Sequence, residues 1–380
     1  MSSLKIVILG LSITSSWGNG HATTYRGLVR ELVARGHEVL FLERDRPWYA
    51  AHRDLPHPPY GQTQLYTSLE ELKDSFSQDI LSADLVIVGS YVPEGIAVGE
   101  WVTMTARGIA AFYDIDTPVT LARLEQGNRE YVSPELIPRY HLYLSFTGGP
   151  ILERLERYYG SPMARALYCA VDPELYYPES GNSSWHLGYM GTYSSDRQPS
   201  LERLLLEPAR HWPDGQFVVA GPQYPETLNW PPNVQRIEHL PPHTHRSFYS
   251  AQAFTLNITR ADMMQAGYSP SVRLFEAAAC GTPVISDYWQ GLESFFEIGV
   301  EILVAESPEE VLGYLQQTSA AKRQAISDRA RARILAGHTA AHRAKELEAY
   351  VLELLATQQN LVPHPSEKRY IKILGIDLGK

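Results

Sequence analysis

Between Tyr268 and Asp287 the sequence reads Tyr-Ser-Pro-Ser-Val-Arg-Leu-Phe-Glu-Ala-Ala-Ala-Cys-Gly-Thr-Pro-Val-Ile-Ser-Asp. Its residue types could bind a phosphate. Ser269 can cap a helix, and Pro270 suits the first helical position because the N–H it lacks would have no partner there. Gly281 ends the helix, Pro283 forbids its continuation, and Val284–Ser286 reads as a short buried strand. The free N–H groups and positive dipole end around Ser271 and Val272 then face a common point, which favours an anion. Ala277–Ala279 let the helix lie close to a neighbouring backbone. Glu276, about two turns in, carries a carboxylate that can accept hydrogen bonds from sugar hydroxyls. An ordinary capped helix with a surface Arg273–Glu276 pair at i, i+3 is the plainer alternative.

Three other groupings could do chemistry. Asp114 and Asp116 stand just beyond an apolar run, Ile109–Tyr113, where open α/β sheets bind their ligands. Asp116 is the candidate acceptor ligand or base there, and one of the pair can cap the following helix. Gly18-x-Gly20 follows the first strand at a distance, with Thr23 where a dinucleotide fingerprint wants a third small residue and Glu43 near the usual acidic position. This is an imperfect match to an NAD or FAD site. His243-x-His245 could recruit a metal but has no third ligand at a useful spacing, and reads as an exposed loop.

The run Leu274–Ile285 resembles the donor-binding signature of GT-B glycosyltransferases of the glycogen synthase-like, group 1 (family 4-like) retaining superfamily, and its surroundings resemble the CgeB-like (spore maturation) group. The resemblance implies that the helix start holds a nucleotide diphosphate through Ser269, Ser271, Val272 and Arg273, and that Glu276 binds the ribose. It further implies that Gly191, Tyr193 and Arg197, in the loop Tyr189–Gln198, meet the diphosphate, with Arg260 as a second cation. Leu240 would line the base pocket. Gly18, Gly20 and His21 would face the cleft from the first half. The superfamily's earlier Glu would fall at position 268, which is Tyr268 here. Whether the anomeric configuration is retained therefore stays open. Inversion would need a base such as His21 or Asp116.

The elements that must position these residues form two α/β halves. Lys5–Leu9, a helix at about 22–34 and strand 37–42 make a βαβ unit, which implies a parallel, doubly wound sheet. Residues 46–63, rich in Pro, His and Tyr, read as a loop that forms an acceptor-side insertion. Helices are expected at about 68–79 and 93–107, strands at 84–90, 141–146 and 166–171. The segment Asp172–Pro178 resembles the exit from the first GT-B domain, and 179–184 reads as a linker. The second half repeats the pattern, with strands at about 186–190, 216–220, 234–238, 254–258 and 301–304. The expected organisation is 1–178 as an acceptor-side Rossmann-like domain and 179–336 as a donor domain. Residues 337–357 form a helix crossing back to the first domain, and 358–380 a tail. The fold expected is α/β, GT-B, with two Rossmann-like domains facing across a cleft.

Composition sets the outer limits. The 380 residues are 44% hydrophobic and 20% charged, ordinary globular values with chain enough for two cores. A net charge of −10 speaks against general nucleic-acid binding. Cys169 and Cys280 lie far apart in apolar surroundings and read as buried thiols. The start is a strand rather than a signal peptide, and no run matches a membrane span, so a cytoplasmic protein is expected.

The function expected is transfer of a sugar from a nucleotide-diphospho-sugar to a carbohydrate, protein or small-molecule hydroxyl. Arg197, with Arg260 and the helix start, would stabilise the departing diphosphate without a metal or other cofactor. Two alternatives are a degenerate GT-B protein that binds nucleotide without turnover, and an NAD- or FAD-dependent oxidoreductase.

Overall fold

The computed structural model describes residues 3–361 apart from Asn182, with side chains through residue 357. The strands are β1 (Lys5–Gly10), β2 (Glu38–Arg44), β3 (Gln62–Tyr66), β4 (Leu85–Gly89), β5 (Ile109–Asp114), β6 (Leu142–Ser145) and β7 (Ala164–Ala166) in the first half. In the second they are β8 (Trp185–Met190), β9 (Phe217–Ala220), β10 (Val234–Ile237), β11 (Gln252–Asn257), β12 (Val284–Ser286) and β13 (Leu303–Val304). They form a seven-stranded sheet in the order β3-β2-β1-β4-β5-β6-β7 and a six-stranded sheet in the order β10-β9-β8-β11-β12-β13. Every pairing in both sheets is parallel.

Both sheets are covered on two faces, so their central strands are continuous apolar runs: Ile6–Leu9, Leu85–Val88 and Phe217–Ala220 are fully buried. In each sheet the chain direction of assembly reverses once, between β1 and β4 and between β8 and β11. Loops diverge at such a point and leave a crevice beyond the strand ends. The loops that carry Gly18–His21, Arg197 and Arg260 leave β1, β8 and β11 respectively.

Residues 46–63 are not a plain loop. They hold a one-turn helix, Pro47–Ala50, and lead into edge strand β3, whose mixed polar sequence hides the strand because only one edge is paired. The expected strand at 166–171 is also displaced: β7 ends at Ala166, and only Val171 makes an isolated bridge, with Thr339. The Leu167–Ala170 side chains are held mostly in the core rather than by a ladder.

The helix Ala340–Leu361 packs against the helix His21–Ala34 of the first sheet's layer. The approach requires a glycine: a Cβ on Gly27 would lie 2.9 Å from that of Ala340. Glu348 pairs there with Arg35 and, at 2.8 Å, with His37, and the Tyr350 hydroxyl donates to the Ala166 carbonyl at 2.9 Å. One apolar cluster includes residues packed around both sheets, among them Tyr113, Cys169, Phe275, Phe295 and Leu347. Both cysteines are free and buried. Among the described residues no helix is long and apolar enough to cross a membrane.

Candidate functional site

The helix that organises the site is shorter than its sequence suggests. It runs Val272–Ala279 with Ser271 at the N-cap, so neither Ser269 nor Pro270 takes the expected place. The residue before a proline is biased toward extended backbone, and the extended course continues through Ser271. Ser269 is buried and its hydroxyl meets that of Thr147 from the first domain at 2.8 Å. The Ser271 hydroxyl donates to Asn257 Oδ1 at 2.8 Å instead of capping its own helix. The Leu274 N–H donates to the Ser271 carbonyl at 3.1 Å, and the Val272 and Arg273 N–H groups at the helix start have no side-chain cap.

Arg273 and Glu276 are both buried, at 8% and 2% exposure, which overturns the surface-pair reading. Arg273 donates to the Met190 carbonyl at 2.6 Å and to Asn257 Oδ1 at 2.8 Å, and lies over the Tyr189 ring. It thereby ties the helix start to the end of β8. Gly191 follows, and a Cβ there would stand 2.6 Å from the Tyr189 hydroxyl oxygen.

Two cavities meet at this helix start, sharing Gly20, Val272 and Arg273. The outer one, of about 190 Å³, includes Gly18, Gly191, Leu240, His245, Tyr249 and Glu276 in its walls. Glu276 Oε2 accepts from the Tyr249 hydroxyl at 3.1 Å, and burial raises the Glu276 carboxyl above its ordinary range. His245 is not on a loop but on the helix Pro242–Ser250, where Nε2 meets the Leu240 carbonyl at 3.1 Å and Nδ1 meets the Tyr176 hydroxyl at 3.2 Å. Among the described residues no three His, Cys, Asp or Glu side chains converge as a metal would need.

The inner cavity, of about 200 Å³, brings together His21, Asp116, Arg197, Arg260, Ser269 and Ser271 over an apolar wall that includes Phe146 and Ile115. Asp116 Oδ2 accepts from the Tyr91 hydroxyl at 2.8 Å and lies 3.4 Å from Arg260 Nη1. Burial pushes the His21 imidazole down to about 4; nearby Asp116 opposes that shift and Arg260 adds to it. The ring is therefore neutral at physiological pH, able to accept one proton and donate another. Arg197 Nη2 donates to the Thr192 carbonyl at 2.7 Å, while its buried Nε has no partner among the described residues. Tyr193 stands outside both cavities, its N–H on the Pro222 carbonyl and its ring against Tyr224.

Asp114 does not reach the cleft. It is fully buried, accepting from the Tyr143 hydroxyl at 2.6 Å, the Thr120 hydroxyl at 3.0 Å and the Asp116 N–H at 3.2 Å. Burial raises its carboxyl to about 6 despite the Tyr143 and Thr120 hydrogen bonds. Asp114 thus shapes the turn that presents Asp116.

The first loop is equally built. Glu43 Oε2 accepts the N–H groups of Ile13 and Thr14 at 2.7 and 3.0 Å, and Oε1 the hydroxyls of Ser12 and Thr14 at 2.9 and 2.6 Å. Glu43 is fully buried. A carboxylate so occupied is not free for a cofactor ribose, which removes the acidic residue that the dinucleotide reading needs. Arg26 adds a bidentate pair with Asp54, and Asp54 holds the Ser16 N–H.

Several residues at the site were not anticipated from sequence: Tyr91, Asn257, Tyr249, His239 and Trp17. Trp17 stacks on His52 with centroids 4.3 Å apart and touches His239 of the second domain at 4.2 Å. An exposed-looking tryptophan in a glycine-containing loop was the available signal. Tyr268 has φ +49, and its ring fills space above two glycines: a Cβ on Gly149 or Gly291 would fall 2.3 or 2.4 Å from its atoms. Its carbonyl accepts the Gly148 N–H at 2.9 Å across the domain boundary.

Among solved structures, sucrose-phosphate synthase from Thermosynechococcus elongatus superposes with a TM-score of 0.67 at 16% identity, covering 93% of this chain and 99% of that one. The fold is GT-B. HepE from Anabaena, in complex with UDP and glucose, gives 0.68 at 14% identity over 92% of this chain and 100% of its own. An alpha-glucosyltransferase in complex with UDP and a 13-mer DNA gives 0.70 at 13% identity over 93% and 100%. A family model described as glycosyl transferase-like matches residues 197–349 of this GT-B chain, most of its second half. No curated protein matches the sequence.

Proposed function

We propose that this GT-B protein transfers a sugar from a nucleotide-diphospho-sugar to an acceptor hydroxyl. The observation that carries this reading is the start of the Val272–Ala279 helix, which forms a shared wall of two cavities. An anion seated at those free N–H groups would lie between a ribose-sized outer site at Glu276 and an inner site at Arg197, Arg260, His21 and Asp116. That is the order of groups in a nucleotide sugar: nucleoside outside, diphosphate at the helix, sugar inside. The glycosyl transferase-like match over residues 197–349 supports the same reading. Uridine nucleotides are the first donors to try, because neighbours of the same fold are described in complex with UDP or UDP-glucose.

In the mechanism proposed, Arg197, Arg260 and the first-turn N–H groups stabilise charge building on the departing diphosphate. Those groups supply the positive charge the step requires, so the transfer is proposed to be independent of a metal or other cofactor. Retention of configuration is proposed from the sequence's resemblance to the glycogen synthase-like superfamily and, within it, the CgeB-like group. His21, neutral, and Asp116 face the acceptor side. The acceptor is a carbohydrate, protein or small-molecule hydroxyl; the net charge of −10 speaks against a nucleic acid.

Calorimetric titration with UDP, ADP, GDP and dTDP tests the reading. Saturable binding of one of them is expected, and binding of none would overturn it. A second reading, nucleotide binding without turnover, is favoured by Tyr268: its ring sits against Gly149 and Gly291 and lines neither cavity. Sugar release from the matching nucleotide sugar separates the two.

A further inference from the structure

Asp116 is held from two sides by donors of different origin. Tyr91 belongs to the same domain, in the turn after β4, and its hydroxyl reaches Asp116 Oδ2 at 2.8 Å. Arg260 belongs to the opposite domain, after β11, and its Nη1 stands 3.4 Å from the same oxygen. The Tyr91 contact is anchored. Its backbone adopts φ +64, and Glu94 in the same turn adopts φ +56. Non-glycine residues keep such conformations only where their surroundings over-determine them. Here the Tyr91 ring packs on Tyr131 at 4.7 Å. The Tyr131 hydroxyl meets Thr120 at 2.7 Å, and Thr120 reaches Asp114, which holds the Asp116 N–H.

The Arg260 contact is of the opposite kind. It is longer, crosses the cleft and involves a side chain about one third exposed. It also lies in the cavity that Arg197 and the helix start enter. A phosphate offers a guanidinium two well-spaced anionic oxygens, a better match than one carboxylate oxygen at this distance.

We propose that Tyr91 is a positioning residue that keeps the Asp116 carboxylate in the acceptor half of the cleft, while Arg260 is its exchangeable partner, leaving Asp116 for the donor's diphosphate. The proposal rests on the glycosyltransferase reading given above. Asp116 then serves as an internal stand-in for phosphate until the donor binds. It becomes free for an acceptor hydroxyl only once the diphosphate has drawn Arg260 away, and Tyr91 prevents it from following.

A double-mutant cycle on UDP affinity tests the exchange. Arg260→Ala should weaken UDP about tenfold, the scale of one charge-assisted contact. Asp116→Asn should tighten UDP several-fold because it frees Arg260. The double variant should bind like Arg260→Ala alone. Asp116→Asn weakening UDP, or a tightening that persists without Arg260, would overturn the exchange. For Tyr91, UDP release from UDP-glucose is followed in Tyr91→Phe, which keeps the ring packing. The expected result is a kcat about tenfold lower with KM unchanged, and no further loss when added to Asp116→Asn. An undiminished loss in the Asp116→Asn background would mean that Tyr91 acts only on structure, and would overturn its role. If the unaltered protein binds no nucleoside diphosphate, the functional reading falls and this inference with it. If UDP binds but these couplings are missing, only this inference falls.

Discussion

Gly191 and Gly221 approach so closely that a Cβ on Gly221 would stand 2.0 Å from the Gly191 carbonyl oxygen. The two glycines lead the loops after β8 and β9, and both line the outer cavity. The contact is reinforced around its edge. Gly191 N–H donates to the Ala220 carbonyl at 2.8 Å, and the Tyr224 hydroxyl donates to the Gly191 carbonyl at 3.2 Å. Arg236, over the rings of both Tyr224 and Trp230, donates to the Gly221 carbonyl at 2.9 Å.

Gly221 also adopts φ +143, outside the range of L side chains. Gly221→Ala must therefore shift the loop, at a cost of ~1–3 kcal/mol. The expected outcome is a lower melting temperature together with at least tenfold weaker nucleotide binding. Thermal unfolding and titration of the same preparation check both. Normal affinity would show that the glycine contact does not shape the site.

Glu276→Ala should weaken UDP by roughly ten- to a hundredfold, the value of a hydrogen bond to a charged group. It should weaken 2′-deoxy-UDP much less, because the proposed partner is a ribose hydroxyl. Equal losses for the two nucleotides would remove the ribose role and leave Glu276 as a structural partner of Tyr249.

Asp114 makes a prediction in pH. Its carboxyl is raised from 3.8 to about 6 in the folded protein, so the folded state binds the proton more tightly than the unfolded chain. The resulting stability is fully present below 3.8 and is lost as pH rises through 6. Asp114→Asn removes this contribution. Relative to Asp114→Asn, the unaltered protein should be more stable at pH 4 than at pH 7 by about 2 kcal/mol. Denaturant melts at both values measure it, and parallel stabilities would contradict the assignment.

Tyr268 should act as a wedge between domains. Tyr268→Ala leaves the space above Gly149 and Gly291 empty, while Tyr268→Phe keeps it filled. Alanine should cost ~1–3 kcal/mol and enlarge the radius of gyration as the domains part, whereas phenylalanine should do neither. Scattering profiles that superpose for all three proteins would show the wedge to be idle.

How much of this was legible in the sequence differs by residue. The two parallel sheets were, because buried strands such as Ile6–Leu9 and Phe217–Ala220 are unbroken apolar runs. So was the placement of Gly18, Gly20, His21, Asp116, Gly191, Arg197, Arg260 and Glu276 around one cleft, but not its division into two cavities. The helix start was misread because Ser269-Pro270 is a capping sequence on local grounds, while tertiary bonds to Thr147 and Asn257 govern Ser269 and Ser271. The alternative of a surface Arg273–Glu276 pair arose because the partners of Arg273, Met190 and Asn257, are distant in sequence. Asp114 and Asp116 are indistinguishable by spacing, and only the packing of Tyr143 and Thr120 sends one into the core. Glu43 seemed poised for a ribose because nothing local reveals that Ser12, Ile13 and Thr14 already use it. Residues 362–380, part of the expected tail, lie outside the described residues.

The central claim is sugar transfer, and turnover tests it most directly. The protein is incubated with UDP-glucose, ADP-glucose and GDP-mannose in turn, and released nucleoside diphosphate and free sugar are measured against Arg197→Ala. The account predicts release from one donor, with kcat for Arg197→Ala reduced more than donor affinity. Nucleotide binding with no release from any donor, or release unaffected by Arg197→Ala, would contradict it.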